Sequence, residues 1–224
     1  MKRYSAHVDT FAAENLPPEN AWPELIFTLP ELQYPARLNC AAALLDDAVA
    51  AGFGARPAVI GADGTRTYAQ LLDDANRIAE VLRDELGLVP GARVLIRGYN
   101  NATFAASWLG IVKAGCIVVA TMPLLRAKEL TEVIQKARVS AALCDKRLED
   151  EMTAAARGCP TLEHVVITHD DSADGLGARM ARASGSFANA DTAADDVCMI
   201  AFTSGTTGKP KGTMHFHRDV LAIC

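Results

Sequence analysis

Apolar positions along this chain change their period in an ordered way. From residue 94 to residue 168, short apolar runs alternate with longer stretches of helical spacing. Residues 94–96, 117–120, 141–144 and 165–168 read as strands, and 101–114, 126–137 and 145–157 as helices. In the second of these helices Leu130, Val133, Ile134 and Ala137 share one side. Gly115 closes the first helix, and Gly158 with Pro160 ends the third. Strands alternating with helices predict βαβ units, hence an α/β fold with a mostly parallel sheet flanked by helices. Strands this short and apolar fit a sheet covered on both faces.

Upstream the pattern is less regular. Residues 1–35 form a proline-rich N-terminal arm in which Pro17, Pro18, Pro23, Pro30 and Pro35 forbid a long helix. Trp22, Leu25, Ile26, Phe27, Leu29 and Leu32 predict that the arm packs on a surface. From Asn39 the spacing turns helical until Gly52 and Gly54, with Leu44, Leu45, Ala48 and Val49 on one face. A strand at 58–60, the turn Asp63-Gly64 and a return toward Tyr68 read as a hairpin. Thr67 and Gln70 have capping-box spacing. They open a helix whose apolar face runs from Leu71 through Ala75, Ile78 and Leu82 to Leu86, with Gly87 as its stop. Residues 169–196, rich in Asp, Ala, Ser and Gly, read as an exposed excursion with one short helix at 176–183.

At residue 197 a buried strand resumes, Val197-Cys198-Met199-Ile200-Ala201-Phe202, and empties into TSGTTGKPKG at 203–212. Gly205, Gly208 and Gly212 let backbone approach an anion closely. Successive N–H groups in such a loop form an anion-binding concavity. Thr203, Ser204, Thr206 and Thr207 add hydroxyl donors. Each hydrogen bond to a charged group contributes about 1.5–3 kcal/mol. Pro210 stiffens the segment between Lys209 and Lys211, so one lysine is expected to face the ligand. A flexible linker has no need of a buried strand beside paired lysines. The spacing also departs from a Walker A loop: Gly205 and Gly208 stand too close, and Pro210 follows Lys209.

Composition narrows the partners. A formal charge of −5 argues against bulk nucleic-acid binding and against an anionic membrane surface. The six cysteines form no C-x-x-C pair and sit mostly in apolar runs, so they read as small buried hydrophobes in a reducing compartment. His215 and His217 lack the neighbours a zinc site needs. Lys2 and Arg3 lead into polar residues rather than an apolar signal region. The location expected from these features is cytoplasmic. Phe104 and Trp108 read as core. Asp46-Asp47 and Asp73-Asp74 read as solvated helix faces.

The segment TSGTTGKPKG resembles the phosphate-loop signature of the adenylate-forming superfamily, which includes acyl-CoA synthetases, peptide-synthetase adenylation domains and luciferases. The resemblance implies that Thr203, Ser204, Gly205, Thr206, Thr207 and Gly208 wrap the ATP phosphates, and that Lys211 stands at the motif's lysine position. Lys209 falls where the motif is open. His217 lies where the family often has a histidine. The loop Thr121-Met122-Pro123-Leu124 matches a proline-containing loop of that fold and is expected to be structural. The segments AHVDTFAAENLPPENAWPEL and PELQYPARLNCAAALLD resemble the opening of benzoate and 2-aminobenzoate CoA ligases, which favours an aromatic acid.

On this resemblance residues 36–224 are an incomplete N-terminal adenylation domain. The implied reaction activates an aromatic carboxylate with ATP and Mg2+ to an acyl-adenylate, then transfers the acyl group to coenzyme A. No catalytic residue and no metal ligand is assigned within the chain. The aromatic-Gly-x-Thr-Glu segment, the ribose-binding aspartate and the C-terminal lysine of the family do not occur in it. The chain is therefore expected to be the N-terminal part of a longer enzyme and inactive alone. Two alternatives stay open: a non-catalytic nucleotide-binding module, and a ligase for another carboxylic acid.

Overall fold

A computed structural model of the chain describes residues 4–61, 64–204 and 210–224. Six strands form the main sheet: β3 (Arg93–Arg97), β4 (Ile117–Thr121), β5 (Ala141–Asp145), β6 (His164–Thr168), β7 (Val197–Ser204) and β8 (Pro210–Phe216). Their order is β6-β5-β3-β4-β7-β8. All neighbours pair in parallel except β7 with β8, which form an antiparallel hairpin. A separate hairpin joins β1 (Pro57–Gly61) to β2 (Gly64–Thr67), as the spacing around Gly64 predicts. Asp63 of that turn lies outside the described residues.

Strand alternation explains why helices cover both faces. Val94 and Ile96 of β3, Val118 of β4 and Leu143 of β5 point to one side. There they meet α2 (Tyr68–Glu80) and α3 (Ala102–Lys113). Leu95, Ile117, Val119, Ala142 and Cys144 point to the other. There they meet α4 (Ala127–Ala137) and α5 (Glu149–Ala156). Truncating Leu95, Ile117 or Leu143 to alanine costs about 2–5 kcal/mol. The helices α2 and α3 approach so closely that a Cβ on Gly110 would stand 2.8 Å from the Ala75 carbonyl oxygen. No larger residue fits there without moving a helix.

The predicted ends hold in detail. Thr67 and Gln70 form the reciprocal capping box, and Asn101 caps α3 by accepting from the Phe104 N–H at 2.9 Å. The span at 145–157 divides instead. Asp145 accepts from the Arg147 N–H and turns the chain through a short 3-10 segment before α5 begins. Asp and its side chain compete with helical hydrogen bonding in this way.

The excursion at 169–196 is also a correction. It contains the short helix α6 (Leu176–Arg182), but its second half folds back into the molecule. Thr192 is fully buried; its hydroxyl donates to the Leu38 carbonyl at 2.7 Å, and the Leu38 N–H donates to the Thr192 carbonyl at 2.8 Å. Asp196 accepts from the N–H groups of Ala6 and Ala193. These polar residues read as solvent-facing because Leu38 and Ala6, which supply backbone partners, are 154 and 190 residues away.

The arm is anchored at points. Trp22 stacks on Phe216 with ring centroids 5.7 Å apart, and Arg218 lies over Phe27. The helix α1 (Phe11–Glu14) buries Ala12 in the core. Leu25, Ile26, Phe27 and Leu29 are exposed, so the expected packing covers only part of the arm.

Candidate functional site

In an open parallel sheet, ligands collect outside the carboxyl ends of the strands, where the strand order reverses. Here β3 connects to β4 on one side and β5 connects to β6 on the other, so the reversal lies between the adjacent strands β3 and β5. Arg97 and Asp145 mark the carboxyl ends of those strands, and β4 lies on the far side of β3. Strand β7 lies on the other side of β4 and ends, in the same direction, at Ser204.

Gly205, Thr206, Thr207, Gly208 and Lys209 lie outside the described residues. Their flanks are described. Thr203 pairs with Lys211, and Ser204 with Pro210, across the β7–β8 hairpin. Thr203 and Lys211 are both exposed. The hairpin thus presents one predicted hydroxyl donor and the predicted lysine opposite each other at one end of the paired strands. Lys136 of α4 donates to the Pro210 carbonyl at 2.8 Å and ties the start of β8 to the helix layer. Strand β8 escaped the sequence reading because Gly212 and Thr213 interrupt any apolar alternation. Gly212 fits because Ile200 and Phe202 of β7 press on its Cα: a Cβ there would stand 2.9 Å from the Ile200 side chain.

Two strands from β7, Arg97 organises the same carboxyl edge of the sheet. It is almost fully buried, and its guanidinium donates to the carbonyls of Met122, Pro123, Leu125 and Leu148 at 2.8–3.4 Å. Burial pulls its pKa below the usual arginine value. The Met122–Pro123 loop is therefore held by a buried cation, which agrees with its expected structural role. The sequence carried a signal for this: an arginine at each end of an apolar strand, Arg93 and Arg97, facing the same side.

At the ends of β5 and β6, Asp145 accepts from Arg147 at 2.7 and 2.9 Å, and this pairing holds its carboxyl below the usual range. His169 Nδ1 stands 3.2 Å from the same carboxylate, and its Nε2 3.3 Å from the Thr103 hydroxyl. His169 adopts φ of 55°, a left-handed conformation uncommon outside glycine. A cavity of about 260 Å3 lies here, lined by Arg66, Thr103, His169 and Met180 among others. A larger cavity, about 530 Å3, lies between the arm and residues 193–195, near the amino end of β7. That end carries none of the predicted phosphate-loop residues, so size alone does not mark the site.

One residue has a role other than the one expected. Asp46 is not on a solvated face: it accepts from the fully buried Lys113 ammonium at 2.5 and 2.6 Å and from Asn189 at 2.9 Å. Burial lowers the Lys113 pKa, opposed by that carboxylate. His217 is buried at the start of α7 (His217–Ile223), where its Nδ1 accepts from the Cys40 N–H at 3.1 Å. Its described partners lie in the core. Cys40, Cys116, Cys144, Cys159 and Cys198 are buried free thiols, as their apolar settings predict, and Cys224 is exposed. No helix among the described residues is long and apolar enough to cross a membrane.

The architecture is the α/β fold of adenylate-forming enzymes. The anthranilate CoA ligase AuaEII, solved with anthranoyl-AMP, superposes with a TM-score of 0.79 over 85% of this chain and 37% of that one, at 24% identity. ATP-bound MatB from Rhodopseudomonas palustris superposes at 0.66 over 80% of this chain and 35% of that one, at 31% identity. In sequence, the benzoate–CoA ligase of Thauera aromatica is 33% identical over 194 residues, covering 87% of this chain and 37% of the relative. The chain belongs to the AMP-binding enzyme family, whose pattern matches residues 46–224. That family includes acid–thiol ligases and uses ATP, Mg2+ and coenzyme A. The chain spans little more than a third of the length of these relatives.

Proposed function

We propose that this chain is the N-terminal part of an ATP-dependent acid–thiol ligase that activates an aromatic carboxylate of the benzoate or 2-aminobenzoate class. Thr203, Ser204, Gly205, Thr206, Thr207 and Gly208 hold the β- and γ-phosphates of ATP, and Lys211 offsets their charge. Residues 1–35 act as an arm on the incomplete adenylation domain 36–224.

The single observation that carries the reading is the β7–β8 hairpin. It brings Lys211 opposite Thr203 at the carboxyl edge of a parallel sheet, the edge where ligands of such sheets collect. Donors preset at that edge stabilise charge as it builds on the phosphates, which is the main work of the protein in such chemistry. Mg2+ supplies Lewis-acid charge compensation when bound. No acidic side chain of this chain is assigned to it. The aromatic class is supported by the likeness to benzoate–CoA ligase over 87% of the chain. A cytoplasmic location belongs to the same reading and is supported by the five buried free thiols.

The test is ATP–pyrophosphate exchange by the enzyme that contains this chain, with benzoate, 2-aminobenzoate, a fatty acid and an amino acid offered in turn. Exchange should depend on an aromatic acid, and the 224-residue chain alone should give none. Exchange driven only by the fatty or amino acid would overturn the substrate class. Turnover by the chain alone would overturn its incompleteness.

A further inference from the structure

Cys40, Cys198 and His217 meet inside the molecule. Cys40 opens the first long helix, the helical stretch over residues 40–53, Cys198 lies on β7 and His217 begins α7, so the three come from elements up to 177 residues apart. Each residue is at most 1% exposed. Their ligand atoms all lie within 4.8 Å of one another, and Cys40 Sγ stands 3.3 Å from His217 Nδ1. The phosphate reading gives these side chains no task, and simple packing does not require two thiols and an imidazole to converge.

We infer that Cys40, Cys198 and His217 form a site for a thiophilic d10 cation of the zinc class. Two sulfurs and an imidazole nitrogen are the donor set such ions prefer. Zinc binds sulfur at about 2.3 Å and histidine nitrogen at about 2.0–2.1 Å, which sets tetrahedral donors roughly 3.5–3.8 Å apart. Donors already within 4.8 Å reach that spacing by a contraction of about 1 Å or less. The His215 carbonyl oxygen stands 3.5 Å from Cys198 Sγ. Binding takes the Nδ1 lone pair from the Cys40 N–H. That N–H belongs to the first turn of a helix, where a thiolate sulfur can serve as its new acceptor.

The position gives the ion a structural consequence. It would join the start of the first long helix to the strand that leads into the phosphate loop and to the helix that follows it. Because the donors are scattered along the chain, binding would favour the folded state over the unfolded one.

The reduced 224-residue chain is titrated with Cd2+, and the sulfur-to-cadmium charge-transfer band is followed in the ultraviolet, with Zn2+ as competitor. One equivalent should saturate the band. Cys40→Ser and Cys198→Ser should each weaken binding by about a hundredfold or more, while Cys159→Ser leaves it unchanged. Zinc X-ray absorption on the unmodified chain is independent of how the variants fold. It should count two sulfur neighbours at about 2.3 Å and one imidazole. No saturable band, a band lost in Cys224→Ser but kept in Cys40→Ser and Cys198→Ser, or fewer than two sulfurs around zinc would overturn the site. None of these readouts depends on phosphate binding, so the site can fail while the ligase reading stands.

Discussion

Strand β3 carries an arginine at each end, and the two are buried alike but satisfied differently. Arg93, at the amino end, donates to the carbonyls of Gly91, Ala137 and Arg138 and also pairs with Asp9 at 2.5 Å. Arg97, at the carboxyl end, has carbonyl oxygens as its hydrogen-bond acceptors. Both sit under α4: Arg93 binds the carbonyls at the helix's last turn, and Arg97 those of the loop that leads into its first. One helix is thus pinned at both ends from a single strand. At the amino end the task is packing, and a carboxylate from the arm offsets the charge. At the carboxyl end the cation organises loops next to the predicted phosphate site. Among the described residues no carboxylate forms an ion pair with Arg97, and its guanidinium holds backbone by its fixed donors.

Removing each arginine should expose that difference. Arg97→Met leaves four carbonyls to find water or other donors, and the expected loss is about 3–4 kcal/mol in urea unfolding. It should also loosen residues 122–125, read as faster amide exchange there. Arg93→Met should cost less, about 2–3 kcal/mol, because Asp9 is partly exposed and can return to solvent. If the two losses were equal, or reversed, the distinction between the ends would fail.

A smaller effect is expected from Asp145, on the same edge as Arg97. Its carboxyl is held below the usual range, chiefly by Arg147. A depressed pKa contributes stability above the unfolded value near 3.9 that is lost as pH falls through the folded value. The chain should therefore lose stability on acidification below about pH 4, with a shallower slope in Asp145→Asn. An unchanged slope would remove Asp145 from the account. At neutral pH the same substitution should cost about 1–2 kcal/mol in urea unfolding.

The contrast between the two ends also shows what the sequence could reveal. Strands β3 to β6 were legible because Val94, Val118, Leu143 and their neighbours are short apolar runs between amphipathic helices. The capping box at Thr67 and the stops at Gly87 and Gly115 follow from local chemistry, and local chemistry is what a sequence displays. The polar interior was not legible. Asp46 finds Lys113 across 67 residues and Asn189 across 143, and Thr192 finds Leu38 across 154. Nothing local in an Asp-Asp pair or an alanine-rich excursion announces a distant partner. The candidate site divides the same way. Its loop is a contiguous string of glycines, hydroxyls and lysines and reads directly. Its support by Arg97 and Lys136, and the strand that carries Lys211, depend on tertiary placement.

The central claim, that the loop 203–212 is a polyphosphate cradle with Lys211 as its cation, is tested most directly by calorimetric binding to the 224-residue chain. Tripolyphosphate and pyrophosphate should bind, and AMP far more weakly. Lys211→Ala should reduce tripolyphosphate affinity by about ten- to a hundredfold with no change in thermal midpoint. Unaltered affinity in Lys211→Ala, or a loss that merely follows a loss of fold, would contradict it.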